Sequence, residues 1–271
     1  MAVINTNISA LRASNASTSA EKMMGVAMER LSTGKRINGA KDDAAGLAIA
    51  TTMTADIRAM NQGIRNANDG IALAQTAEGA LDEVSNMLQR VRELAVQSKT
   101  ETYSADDRGY MDAEVAELSA QIDDILANTE FNGVTLFSTT AGTDVTVDIA
   151  TNATDTVTLT SVGIDGTNLG AALDVSTAAL ADTTIGNVDD ALGDISATRA
   201  TLGAGQNRLE SAINNLTTNS TNLSDARSRI VDTDYSAETT ALAKSQILSQ
   251  ASTAMLAQAN QSQQNVLSLL R

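Results

Sequence analysis

Side chains able to do chemistry are few in this sequence, and their spacing argues against catalysis. Carboxylates come in adjacent pairs at Asp42-Asp43, Asp106-Asp107, Asp123-Asp124 and Asp189-Asp190. Neighbouring positions on a helix point about 100° apart, so such a pair does not by itself serve as general acid and general base. Most of the pairs fall at or near expected helix starts, where Asp favours the positive end of the helix dipole. Helix caps and solvated faces are the reading preferred over catalysis. Histidine and cysteine are absent, which removes zinc ligation, thiol chemistry and disulfides. The Asp-Gly-Thr-Asn run at 165–168 carries oxygen ligands but lacks the spacing of a calcium loop. GAGQNR at 203–208 lies inside a heptad run, not between a strand and a helix, so it is no phosphate loop. The expectation is no enzyme, no metal and no cofactor.

What remains is periodicity. From Met53 the seven-spaced positions read Met60, Ala67, Ala74, Leu81, Leu88 and Ala95, flanked by Ile57, Ile64, Ile71, Ala77, Val84 and Val91. Apolar residues at alternating spacings of three and four mark a long helix with a partner. A second ruler near the other end reads Val188, Ile195, Leu202, Leu209, Leu216, Leu223 and Ile230. The 271 residues contain no proline and only 2% aromatic side chains, so Ala, Leu, Ile, Val and Met must do the burying, as in helical bundles.

In chain order, residues 4–33 read as an amphipathic helix led by Ile4, Ile8 and Leu11 and ending near Leu31. Gly34 and Gly39 break it. Asp42 or Asp43 then caps a helix that runs to about Ser98, roughly 80 Å at 1.5 Å per residue. Gly63 and Gly70 adjoin its apolar seam and predict close helix–helix approach rather than a hinge. A turn over 99–107 leads to a shorter helix ending near Asn128. Segments 131–137, 144–149 and 156–160 alternate apolar and polar residues, with a hairpin turn at 152–155 and a possible helical turn at 169–173. The second long helix is expected from Ile185 to Asp232, and a last one from Ser236 to Arg271 with Leu248, Met255, Val266 and Leu270 at helical spacing. Its polar positions are mostly glutamine, which tolerates burial better than charge does.

The fold class that follows is mainly α: a long antiparallel helical rod or coiled coil, a small β-hairpin region at its tip, and terminal helices forming an inner coiled coil. The expected domains are 1–42 with 236–271 (inner) and 43–184 with 185–235 (outer, β region about 131–182). Formal net charge is −15, distributed as +2 over 1–45 and +1 over 236–271, which leaves −18 in the middle. An acidic body between near-neutral ends fits ends that pack against other copies. No basic stripe points to nucleic acid, no run reaches membrane-spanning length, and the N-terminus lacks a cleavable signal.

The motifs INTNISALRASNAS, LSTGKRINGAKDDAAGLAIA and QRVRELAVQS, with FNGV at 131–134, LGAGQNRLESAINNL at 202–216, DARSRI at 225–230 and the end ILSQASTAMLAQANQSQQNVLSLLR, resemble bacterial flagellin over about 1–137 and 185–271. The outer variable domains of larger members have no counterpart here. The resemblance implies a self-assembling filament subunit for swimming motility, secreted through the flagellar type III apparatus to the extracellular flagellum. It implies an export chaperone, filament cap and junction proteins as partners. A hook-filament junction protein is the alternative. It also implies recognition by Toll-like receptor 5 through Arg90, Leu94, Gln97 and Glu114, of which Arg90 and Gln97 share one helix face. The expected assembly and coiled-coil core comprises Ile4, Ile8, Leu11, Leu31, Met53, Met60, Leu81, Leu88, Leu202, Leu209, Leu216, Leu223, Leu248, Met255, Val266 and Leu270.

Overall fold

A computed structural model describes residues 6–140, 143–152, 155–164, 166, 169 and 172–268, the side chains of 264–268 excepted. Among these residues five helices and two hairpins follow one another as α1 (Ile8–Thr33), α2 (Ala44–Ser98), α3 (Ala105–Asn128), β1 (Glu130–Phe131), β2 (Val134–Thr135), β3 (Val145–Ala150), β4 (Thr156–Ser161), α4 (Ala178–Val231) and α5 (Tyr235–Ser268). Each start has a chemical reason. Asn7 caps α1 by accepting from the Ala10 N–H at 3.0 Å, and Asp43 caps α2 through the Gly46 N–H at 2.8 Å. Asp42 closes the preceding loop, taking the N–H groups of Asn38 and Gly39 at 3.0 Å each. Those two donors hold its carboxyl below the usual range. Ser104 and Asp107 form a reciprocal capping box at α3. Thr177 accepts from Leu180 N–H at 3.2 Å, so α4 begins at Ala178, earlier than the expected Ile185.

The chain forms two compact units: Met1–Ile57 with Thr221–Arg271, and Arg58–Ser220. The divisions fall inside α2 and α4, not in the linkers near 42/43 and 235/236. The linkers are tied to the ends of those helices by the hydrogen bonds described below, which draws the first turns of α2 and the last of α4 into the first unit.

The second unit is built on α2 and α4 running antiparallel. Arg92 meets Asp189, Lys99 meets Asp182, Arg199 meets Asp82 and Glu78, and Gly70 faces Leu209. Leu81, Val84, Leu88 and Val91 from α2 and Val188, Ile195, Leu202 and Leu209 from α4 form the buried core. α3 folds back beside α2, adding Val115, Ile122 and Leu126 to that core. The β region does not stand off as a tip. β3 and β4 pair antiparallel from Val145↔Ser161 to Ala150↔Thr156 and lie along the helix pair. Asn66 donates to the Ala150 carbonyl at 2.9 Å, and the Thr201 hydroxyl donates to that of Thr160 at 2.9 Å. The third side of the α2–α4 pair is therefore covered by α3 over one stretch and by the hairpin over the next.

This placement explains the glycines. A Cβ on Gly63 would overlap the Thr151 carbonyl oxygen, and one on Gly70 would sit 2.8 Å from Ile149 Cγ1. Close approach is the correct reading, but the hairpin is the principal neighbour, with α4 Leu216 and Leu209 behind it. The segment expected as one strand at 131–137 is a small hairpin instead: Asn132 and Gly133 adopt left-handed φ of 51° and 79° between β1 and β2. Leu136 and Phe137 then turn into the core. The expected helical turn at 169–173, the turn at 152–155 and the 165–168 cluster lie partly outside the described residues.

In the first unit α1 and α5 also run antiparallel. Asn7 donates to the Ala259 carbonyl at 3.1 Å, while Arg30 lies 3.7 Å from Glu238. Their buried positions are Ala13, Ala20 and Ala27 on α1 and Ser245, Ser252 and Ala259 on α5. Small residues every seventh position let two helix backbones come close.

Candidate assembly and recognition surfaces

The residues expected to meet a receptor do not share one surface. On α2 and α3, Arg90 is about half exposed and held on two sides: Glu114 Oε1 lies 2.9 Å from its guanidinium and Glu93 Oε2 lies 3.2 Å from it. The hydrogen bond that Arg90 donates to Glu114 leads the effects that raise the pKa of Arg90 further above its ordinary value, so its charge is permanent. Gln97 donates from Nε2 to the Tyr103 hydroxyl at 3.1 Å and is exposed. Leu94 departs from the expectation. It is only 2% exposed and belongs to the core, because α3 folds back over that side of α2. Arg90, Glu114 and Gln97 form a polar surface, with Leu94 beneath it.

The expected assembly residues divide in the same way. Leu81, Leu88, Leu202, Leu209 and Leu216 are buried within the chain itself. Leu31, Met53, Met60 and Leu223 are half-buried. Ile8, Leu11, Leu248 and Met255 are exposed, with Leu11 at 59% and Met255 at 55%. Ile4 and Leu270 and the side chain of Val266 lie outside the described residues. Met23, Val26 and Met28 on α1 and Ile247 on α5 extend the exposed apolar surface. The pairing of the terminal helices was expected, but the residues of its seam were not. That seam, Ala13-Ala20-Ala27 against Ser245-Ser252-Ala259, is a heptad of small residues set beside the large apolar ones.

Between α1 and α5 runs a groove of about 420 Å³, with Met23, Val26 and Leu248 as apolar lining and Lys22, Arg30, Lys244 and Glu238 as the charged groups. Across the second unit the charges face each other in pairs. The Arg92 hydrogen bond holds the Asp189 carboxyl below the usual range, and the capping bonds from Ser104 do the same for Asp107. These carboxylates are occupied in holding helices. Among the described residues no cluster of three acidic side chains could hold a metal ion, and no helix is long and apolar enough to cross a membrane.

Antiparallel terminal helices joined by small residues, exposed apolar faces on those helices and a separately packed acidic body define a structural subunit of an assembly. The comparisons give the family. Residues 4–142 match the bacterial flagellin N-terminal helical region and 185–270 the C-terminal helical region. The chain is 44% identical to a flagellin of Halalkalibacterium halodurans, covering 99% of this chain and 100% of that one. It is 41% identical to a flagellin of Xenorhabdus nematophila, covering 99% of each. Against the phase 2 flagellin of Salmonella typhimurium, 42% identity extends over 68% of this chain but 38% of that protein. The solved Bacillus cereus flagellin aligns with a TM-score of 0.50 at 35% identity, covering 60% of this chain and 94% of that one. This chain belongs to the bacterial flagellin family and is a minimal form, a structural subunit of the flagellar filament and not an enzyme.

Proposed function

We propose that α1 and α5, within 1–42 and 236–271, form the inner layer of the filament and that the second unit forms its shell. The observation that supports this is the exposed apolar surface of Leu11, Met23, Met28, Ile247 and Met255 on helices that bury small residues between them. Surface of that kind is stabilised by burial against further copies. Free of neighbours, these segments bury too little apolar area to offset their ordering entropy, so they fold on incorporation. Secretion through the flagellar export apparatus, an export chaperone on the C-terminal segment, and the filament cap and junction proteins complete the proposed partners. Placing a charge on the proposed buried faces tests the reading. Leu11→Asp with Met255→Asp is expected to raise the critical concentration for seeded growth at least about tenfold. An unchanged critical concentration contradicts it.

The free subunit is also proposed as a ligand of Toll-like receptor 5, with Arg90, Gln97 and Glu114 as the contacting side chains and Leu94 as their support. Arg90, exposed yet fixed by two carboxylates, is the side chain prepared for recognition. Arg90→Ala is expected to weaken receptor activation by about tenfold while leaving filament growth intact. Unchanged signalling removes the assignment.

A further inference from the structure

α1 ends at Thr33 and α4 at Val231, and each leaves last-turn carbonyls that a helix cannot satisfy by itself. In both cases a donor comes from the residues that follow the other helix. Tyr235, after α4, donates its hydroxyl to the Leu31 carbonyl of α1 at 2.7 Å. Arg36, after α1, donates Nη2 to the Ile230 carbonyl of α4 at 2.6 Å and its own N–H to the Val231 carbonyl at 2.6 Å. The main chains pair between these caps: Lys35 bridges antiparallel to Asp232, and the Thr233 N–H donates to the Gly34 carbonyl at 3.0 Å. Gly34, at φ 70°, makes the turn that brings Arg36 across. The guanidinium also complements the negative end of the α4 dipole. The two caps join positions 194 and 204 residues apart in sequence.

We propose that this reciprocal capping is a folding lock that orders the two ends of the chain together and in one register. Within each last turn one carbonyl is closed locally, Arg30 by the Gly34 N–H at 2.9 Å and Ser228 by the Asp232 N–H at 2.8 Å, but the Leu31 carbonyl takes its donor from beyond α4 and the Ile230 and Val231 carbonyls take theirs from beyond α1. These caps are long-range, unlike the capping box of α3, which lies within four consecutive residues.

The seam between α1 and α5 needs such a device. Ala13, Ala20 and Ala27 repeat every seven residues, as do Ser245, Ser252 and Ala259, so sliding one helix by seven residues again sets small against small. A strict small-residue heptad permits antiparallel pairing without selecting its register. The lock selects it at one end, next to the Arg30–Glu238 pair, and Asn7 on the Ala259 carbonyl matches it at the other. Pairing therefore starts at the linkers and runs toward the chain ends, and a chain lacking either side-chain donor of the lock leaves the helix end that this donor caps frayed.

Filaments seeded from the unaltered chain, Tyr235→Phe and Arg36→Met provide the test, read by peptide-resolved amide hydrogen exchange. Both side chains are exposed, and both substitutions keep the bulk while removing the side-chain donor, the Arg36 N–H on the Val231 carbonyl remaining. Tyr235→Phe is expected to speed exchange at 30–34 in α1 by about threefold to tenfold, and Arg36→Met to do the same at 228–233 in α4. Exchange at 84–95 in the second unit serves as the control and stays unchanged. A variant that no longer elongates seeds, with its second unit melting as in the unaltered chain, is the same result at greater amplitude. Exchange that changes only around the substituted residue, with the opposite helix end unmoved, overturns the lock.

Discussion

Gly63 and Gly79 lie on the same helix and differ in what stands opposite. Alanine at Gly79 meets nothing within 4 Å and gains helix propensity, so Gly79→Ala is expected to stabilise the second unit by about 1 kcal/mol. Alanine at Gly63 collides with the Thr151 carbonyl, and lifting the hairpin is expected to outweigh that gain, for a net loss of about 1–3 kcal/mol. Denaturant titration of the full chain reads both. Titrating groups give a second result at this scale. Asp107 and Asp189 have folded pKa values lowered from 3.8, by capping and by Arg92 respectively. Stability from a lowered carboxylate is present above its unfolded pKa and is lost as pH falls through the folded one. Thermal melting of the second unit should hold steady from about pH 7 to pH 5 and decline below about pH 4, and less steeply in Asp107→Asn with Asp189→Asn. A decline of equal steepness in that variant contradicts the assignment. At this scale the sequence carried much of the structure. The cap of α2 was readable as Asp42 or Asp43 from residue type and position, and the structure assigns it to Asp43. Leu94 was not readable as buried, since the side of α2 that α3 covers is settled by a chain reversal at 99–104 that no heptad encodes.

Among the elements, the two long helices were legible because large apolar residues at a heptad repeat have few other uses in water. The hairpin strands β3 and β4 were legible from alternation, but their position was not. A two-stranded ribbon with one apolar face must lie on something, and Val157, Leu159 and Ile149 lie against α2 and α4 instead of crowning them. The pairing of α1 with α5 was expected, but its seam was the least legible, because alanine and serine are common on any helix and mark a seam only by their spacing. That seam gives a prediction. Ala20 is 1% exposed, so Ala20→Leu forces the backbones apart. Seeded growth should cease while the melting of the second unit is unaltered; growth at the normal rate would show that α1 and α5 do not pair closely in the filament.

For the molecule as a whole, charge and packing divide along the same line. Residues 58–220 carry 8 basic and 24 acidic side chains, net −16, and the remaining residues carry 10 and 9, net +1. Copies brought together repel through their acidic units and attract through their apolar helices. Screening at 0.15 M salt, where the Debye length is about 8 Å, should favour growth, so the critical concentration is expected to fall as salt rises from about 0.01 M. A critical concentration independent of salt would show that the acidic units stay far apart. The central claim is that the terminal helix pair makes the polymer and the second unit only clothes it. Electron micrographs of seed fragments incubated with the full chain and with a chain ending at residue 235 test it most directly. The full chain is expected to extend the seeds into long filaments, and the shortened chain, with its second unit still folded, to leave them at their starting length. Filaments of normal length from the shortened chain would contradict the account.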